Sequence, residues 1–213
     1  MEFFRRAAGR PSCLGVLPGT YNPVTIAHLA LARAALSSVN EVLFVLPRVF
    51  PHKEYSGASF AQRVELLCAA ADENSAFSIA AADRGLFAEI ATECLATYGE
   101  GTRLTFLCGR DAAQRIIGWD YGRPGAVVEM LRRFDLLVAS RGGDYQPPEE
   151  FQAAIRPLEL AGEFDHVSAT EIRHRIARGE PWEHMVPAAV RRRVREIYAA
   201  PTGKMPTETS PRC

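Results

Sequence analysis

A chain of 213 residues, of which 47% are hydrophobic and 23% charged, is long enough for one α/β domain with a substantial core and short for two. The 25 Lys and Arg residues balance the 25 Asp and Glu residues, so no bulk charge attracts nucleic acid or an anionic membrane. No stretch has transmembrane length, the amino terminus lacks the apolar run of a signal peptide, and the odd number of cysteines favours reduced thiols. We therefore expect a cytoplasmic protein that binds neither nucleic acid nor membrane.

Short apolar runs alternate with helical patterns along the chain. This alternation predicts an α/β fold with a doubly wound, mostly parallel sheet and carboxyl-terminal helices. We predict strands at 13–17, 41–46, 77–81, 103–108 and 134–140, and a shorter one between 155 and 160. We predict helices at 26–38, 59–71, 86–98, 112–117, 126–133, 168–178 and 187–198. Residues 1–12 and 200–213 are expected to be tails of a domain over 13–199, the second one disordered.

The first predicted strand runs into PGTYNPVTIAH, residues 18–28, and then into a helix. Gly19 suits a turn that a ligand approaches closely, Thr25 is a candidate N-cap, and His28 falls in the first helical turn. Free N–H groups at a helix start attract phosphate, and a His there adds a hydrogen bond or a positive charge. An ordinary strand–helix turn explains the same residues, and the residues alone leave both interpretations open.

Lysine is rare in this chain, since all but two of the 25 Lys and Arg residues are arginines. Lys204 lies in the carboxyl-terminal tail, whereas Lys53 lies in a Pro-His-Lys segment after the second strand. At the carboxyl end of a strand, its ammonium would reach phosphate as a mobile point charge. A solvated loop lysine is the alternative interpretation.

Two further segments follow strands or begin helices. Asp111 comes directly after the fourth strand, where its carboxylate could accept hydrogen bonds from ribose hydroxyls or orient a helix. Ser168-x-x-Glu171 has the pattern of a capping box and predicts a helix start. Thr170 and Arg173 would then join Ser168 at that helix end, so hydroxyls, N–H groups and a guanidinium would face one anion.

These segments resemble, in order, the motifs of nicotinate and nicotinamide mononucleotide adenylyltransferases, which are nucleotidyltransferases with an [HT]-x-x-H motif. GTYNPVTIAH is similar to the signature G-[TS]-[FY]-[DN]-P-[IV]-[HT]-x-x-H of that superfamily. The Pro-His-Lys segment resembles P-P-H-K, and Gly109-x-Asp111 followed by Trp119 resembles G-x-D…W. The stretch from Ser168 to Arg173 resembles the later part of I-S-S-T-x-I-R. The resemblance covers about residues 13–198.

The resemblance implies a Rossmann-like nucleotidyltransferase fold and transfer of AMP from ATP to a pyridine mononucleotide, with release of pyrophosphate, in NAD biosynthesis. It implies that His28 contacts the α-phosphate and, with Lys53 and Arg173, forms the catalytic set. Mg²⁺ is expected to come with ATP, held mainly by phosphates rather than by a protein metal site. The residues implied for ATP and its phosphates are Gly19, Thr20, Tyr21, Thr25, His28, Gly109, Asp111, Ser168, Thr170 and Arg173. The residues implied for the acceptor are Asn22, Lys53 and Trp119, whose indole would stack on the pyridine ring.

The chain departs from the family pattern in ways that bear mainly on the acceptor. Ala169 replaces a serine of the phosphate element, and Ala27 and Arg110 replace smaller residues. Residues 82–91, ADRGLFAEIA, lack the Ser-Tyr-Thr-like segment that reads the nicotinate carboxylate in many bacterial members. The alternatives are therefore a phosphopantetheine-like acceptor, glycerol phosphate with CTP, and a non-catalytic nucleotide-binding relative. A redox Rossmann enzyme is disfavoured because no G-x-G-x-x-G follows the first strand. The sequence is compatible with a monomer and with a homo-oligomer.

Overall fold

The computed structural model describes residues 1–49, 57–139 and 145–199. Its strands, in chain order, are β1 (Glu2–Arg5), β2 (Cys13–Pro18), β3 (Glu41–Pro47), β4 (Phe77–Ala82), β5 (Arg103–Gly109), β6 (Asp135–Ala139) and β7 (Ile155–Leu158). They form one seven-stranded sheet in the order β1-β4-β3-β2-β5-β6-β7. All neighbouring strands are parallel except β1, which runs antiparallel to β4. The predicted doubly wound, mostly parallel sheet is confirmed.

The helices are α1 (Ile26–Ala35), α2 (Phe60–Ala71), α3 (Phe87–Tyr98), α4 (Arg110–Gly118), α5 (Ala126–Leu131), α6 (Ala169–Arg178) and α7 (Arg191–Tyr198). Helices α1, α2, α6 and α7 contribute to one hydrophobic cluster, and α3, α4 and α5 to a second. The predicted last helix begins later than expected, because the stretch after Pro187 forms a 3₁₀ turn over Ala188–Val190 before α7. Within the described residues, no helix is both long enough and apolar enough to span a bilayer.

Strand β3 shows why the central strands could be predicted from their continuous runs of apolar residues. Phe44 lies in the first hydrophobic cluster, whereas Leu43 and Val45 lie in the second, and all three are fully buried. Successive side chains of a strand point to opposite faces, so a strand covered by helices on both sides is apolar at every position.

The amino terminus differs from the prediction. Residues 1–12 were expected to form a tail, but Glu2–Arg5 is the edge strand of the sheet, with Glu2 opposite Ala81 in β4. The Arg5 guanidinium fixes this strand by donating to the Phe77 carbonyl at 3.1 Å and to the Asp72 carboxylate at 2.7 Å. The folded unit therefore begins before residue 13. The predicted tail at 200–213 lies outside the described residues.

The sheet order places a topological switch point between β2 and β5, because the chain continues from β2 to β3 on one side and reaches β5 on the other. Val16 is in register with Phe106. Gly19 follows Val16 by three positions, and Gly109 follows Phe106 by three. The segments after β2 and β5 therefore leave these neighbouring strands at the same edge of the sheet. In open α/β sheets, ligands bind in the crevice at this position.

Candidate functional site

The turn after β2 is built around a buried tyrosine. Tyr21 is 1% exposed, has a φ of 48°, and donates its hydroxyl hydrogen to the Leu17 carbonyl. Its ring packs edge-on against those of His28 and Phe44. A Cβ atom at Gly19 would lie 2.9 Å from Tyr21 Cζ, so glycine is needed there to seat the ring. The side chain of Tyr21, predicted to contact ATP, thus lies beneath the turn and supports it.

Thr25 and His28 begin α1 with a reciprocal pair of hydrogen bonds. The Thr25 hydroxyl accepts from the His28 backbone N–H at 3.3 Å, and His28 Nδ1 accepts from the Thr25 backbone N–H at 3.0 Å. The predicted N-cap is confirmed. Because Nδ1 is the acceptor, the neutral imidazole carries its proton on Nε2. His28 is therefore a hydrogen-bond donor through Nε2, held at the positive end of a helix.

Two guanidinium groups hold carbonyl oxygens of the same turn. Arg63 of α2, which is 4% exposed, donates to the Thr20 carbonyl at 2.8 Å. Arg173 of α6 donates to the Asn22 carbonyl at 2.6 Å, across 151 residues of chain. Charged donors form the stronger class of hydrogen bonds, so the turn is fixed from two sides.

The start of α6 supplies the hydroxyl groups that the sequence predicted. Ser168 is the N-cap, and its hydroxyl accepts from the Glu171 backbone N–H at 3.0 Å. The second half of the predicted capping box is wrong, because the Glu171 carboxylate accepts from Arg175 at 2.8 Å instead. That hydrogen bond lowers the pKa of Glu171. Thr170 is exposed, and its hydroxyl lies 3.4 Å from an Arg173 nitrogen.

An open cleft lies along α4, the helix that directly follows β5. It has a volume of about 650 Å³ and is lined by Asp111, Gln114, Arg115, Gly118 and Trp119. The indole of Trp119 is 51% exposed. The cleft combines a carboxylate with an accessible aromatic face, a pair suited to a ribose and a planar ring.

The structure thus brings the Gly19–His28 segment and the start of α6 into direct contact. The Asp111–Trp119 cleft lies along α4, the helix that follows the neighbouring strand β5. Asn22, predicted to contact the acceptor, is only 6% exposed. Its Oδ1 accepts from the Tyr198 hydroxyl at 2.5 Å. His52 and Lys53 lie outside the described residues.

The sequence analysis predicted no side-chain contact for Arg63 or for Tyr198. The helical spacing did contain a signal for Arg63, since it shares the buried face of α2 with Leu66, Leu67 and Ala70. A charge on an apolar helix face needs a partner, and the partner here is a backbone carbonyl.

Comparison with known proteins gives one family. A model described as cytidylyltransferase-like matches residues 16–175. A "Probable nicotinate-nucleotide adenylyltransferase" of Gloeobacter violaceus is 30% identical, over 89% of this chain and 98% of that protein. A protein of Chromobacterium violaceum with the same name is 32% identical, over 83% of this chain and 93% of that protein.

A solved structure shares the fold. The nicotinic acid mononucleotide adenylyltransferase of Plasmodium falciparum, complexed with NaAD, superposes with a TM-score of 0.64. The superposition covers 84% of this chain and 92% of that one at 14% sequence identity.

Proposed function

The chain belongs to the cytidylyltransferase-like family, and we propose that it transfers AMP from ATP to nicotinate mononucleotide, releasing pyrophosphate, as a step of NAD biosynthesis. One observation carries the proposal: Arg173 of α6 binds the Asn22 carbonyl in the turn that leads to His28. This contact brings the helix start with Ser168 and Thr170 to the helix start with His28. Two anion-binding helix ends at one place suit a polyphosphate.

The reaction needs no covalent intermediate. A 5′-phosphate oxygen of the mononucleotide attacks the α-phosphorus of ATP, and the bond from that phosphorus to the β-phosphate oxygen breaks, with its electron pair leaving on pyrophosphate. The attacking phosphate is already ionised near neutral pH, so no strong base is required. Catalysis then comes from in-line positioning and from neutralising charge in the transition state.

His28 acts on the α-phosphate in this proposal. Its Nε2–H donates to a non-bridging oxygen, while Nδ1 stays occupied by the Thr25 backbone N–H. The imidazole serves as a fixed donor rather than as a proton acceptor, because its Nδ1 lone pair is already used. The capping contact with Thr25 holds the ring in place as charge develops.

The start of α6 holds the β- and γ-phosphates. The Ser168 and Thr170 hydroxyls and the first N–H groups of the helix surround the position, and Arg173 adds positive charge. Lys53 is proposed to contact phosphates as substrates approach, as the family resemblance implies. Asp111 binds a ribose, and Trp119 stacks on the pyridine ring of the acceptor.

Mg²⁺ is proposed to enter with ATP, since this ion keeps several waters and is held largely by substrate phosphates in such reactions. Within the described ranges, no group of three or more His, Cys, Asp and Glu side chains is arranged to hold a metal ion. We also propose a cytoplasmic location. Cys13, Cys68, Cys94 and Cys108 are unpaired by disulfides, as thiols are in a reducing compartment.

Pyrophosphate release with a panel of acceptors tests the proposed activity. The panel is nicotinate mononucleotide, nicotinamide mononucleotide and phosphopantetheine with MgATP, and glycerol phosphate with MgCTP. We expect release to be fastest with nicotinate mononucleotide, with a dinucleotide of matching mass. Pyrophosphate release only with phosphopantetheine or glycerol phosphate would refute a pyridine mononucleotide as the acceptor. Release with none of the four acceptors would refute catalysis.

A further inference from the structure

The hydroxyl of Tyr198 connects the last described helix to the phosphate-binding turn. It donates to Asn22 Oδ1 at 2.5 Å, across 176 residues of chain. The backbone carbonyl of the same Asn22 accepts from Arg173 at 2.6 Å. One buried residue of the turn is therefore held by α6 through its main chain and by α7 through its side chain.

Gly57 also packs against this pair. A Cβ atom at that position would lie 3.2 Å from Tyr198 Cε1 and 3.3 Å from Asn22 Oδ1, and Gly57 has a φ of +103°. Such close approach is open only to glycine without displacement of a neighbour. Gly57 therefore lies directly against the contact between Tyr198 and Asn22.

The hydroxyl of Tyr198 is a donor at any physiological pH. Burial raises its pKa above the usual value, while the nearby guanidiniums of Arg173 and Arg63 act in the opposite direction. Asn22 Oδ1 has no proton of its own, so the hydrogen bond has one direction. A fixed donor on a helix end gives Asn22 a defined orientation.

We propose that Tyr198 is a positioning residue for adenylyl transfer, acting through Asn22. Its hydrogen bond sets the turn that leads to His28 against Arg173 of α6. His28 and Arg173 act on different phosphates of one ATP molecule, so their relative position matters most when the phosphorus is transferred. This inference rests on the proposed function.

Tyr198→Phe tests the inference because it keeps the ring that packs on Gly57 and removes only the hydroxyl. We expect kcat to fall about five- to thirtyfold, the range given by loss of one partly buried hydrogen bond. The KM values for ATP and nicotinate mononucleotide should stay within about twofold, since transition-state alignment rather than ground-state binding is lost. In an Asn22→Ala background the same substitution should have no further effect, because its partner is gone.

Tyr98→Phe is the matched control. Its hydroxyl donates to the Glu41 carboxylate at 2.5 Å, and Glu41 lies at the amino end of β3, the edge of the sheet opposite the site. This variant also loses one hydroxyl and one short hydrogen bond, so it should melt at a lower temperature with kcat unchanged. An equal loss of kcat in both variants would attribute the effect to general destabilisation and overturn the inference.

Hydrogen exchange followed by mass spectrometry gives a readout that does not depend on turnover. The peptide over residues 18–28 should exchange faster in Tyr198→Phe than in Tyr98→Phe or the unaltered protein. Unchanged exchange, or an unchanged kcat, in Tyr198→Phe would overturn the inference. Failure of the unaltered protein to form a dinucleotide would instead refute the proposed function, while the exchange result would still decide whether Tyr198 fixes the turn.

Discussion

His28 Nδ1 lies 3.0 Å from the backbone nitrogen of Thr25 and 2.9 Å from its hydroxyl. The imidazole therefore takes the place that Glu or Gln holds in the usual capping box. In the proposed reaction, Nε2 is the atom that donates to substrate.

Substituting His28 by Asn and by Gln separates the two nitrogens of the ring. An Asn oxygen can replace Nδ1 as the capping acceptor but offers no donor at the Nε2 position. We expect His28→Asn to fold normally and to lose about 10²–10³ in kcat, as for removal of one transition-state donor. His28→Gln places an amide nitrogen nearer to Nε2 and should lose less. Steady-state kinetics and thermal melting would check both, and near-normal turnover of His28→Asn would rule out this role.

Thr25→Val removes the capping hydroxyl with little change in shape. The helix cap should contribute about 1 kcal/mol, so the free energy of unfolding is expected to fall by that amount. Turnover should fall less than in His28→Asn, since the backbone N–H of residue 25 still binds Nδ1. Thr25→Ser keeps the hydroxyl and is the control. Denaturant unfolding that gives equal stabilities for the Val and Ser variants would contradict this account of the cap.

Arg173→Lys keeps the charge but loses the fork that reaches both the Asn22 carbonyl and the Thr170 hydroxyl. An ammonium is a point charge and cannot hold this geometry. We expect the KM for ATP to rise about tenfold or more, equivalent to about 1.4 kcal/mol. Arg178→Lys, at the other end of the same helix and paired with Glu180, is the control. Similar KM values for the two variants would show that the guanidinium geometry at position 173 is unimportant.

The sequence predicted the central strands and most helices because burial on both faces leaves an unmistakable apolar pattern, as in β3. It could not predict β1, which is held by pairing with β4 and by hydrogen bonds from Arg5 to the Phe77 and Asn74 carbonyls, 72 and 69 residues away. The site was predicted one segment at a time, through the family resemblance. Nothing in the sequence indicates that Arg173 binds the Asn22 carbonyl, because this contact depends on the packing of α6 against the sheet.

Arg5→Ala tests the correction to the amino terminus. The side chain is partly buried and binds the Phe77 carbonyl, the Asn74 carbonyl and Asp72. Its loss should lower the free energy of unfolding by about 1–2 kcal/mol without changing kcat. Arg10→Ala, in an exposed position beyond β1, is the control. If denaturant unfolding gave the same stability for both variants, residues 1–12 would behave as a tail after all.

The buried thiols should be unreactive in the folded protein. Burial raises the pKa of Cys108 to about 12 and, together with Glu93, that of Cys94 to about 12. At pH 8 the thiolate fraction is then about 10⁻⁴, and only the thiolate reacts. We expect iodoacetamide to label Cys13 well before Cys94 and Cys108, with all of them labelled in denaturant. Equally fast labelling of Cys108 in the native protein would show that the carboxyl end of β5, next to Gly109, opens.

The position of a bound triphosphate tests the central claim most directly. A crystal structure with a non-hydrolysable ATP analogue and Mg²⁺ should place an α-phosphate oxygen within about 3 Å of His28 Nε2. The β- and γ-phosphates should lie at the start of α6, against Ser168, Thr170 and Arg173. A triphosphate bound elsewhere, or touching only one of the two helix ends, would contradict the account.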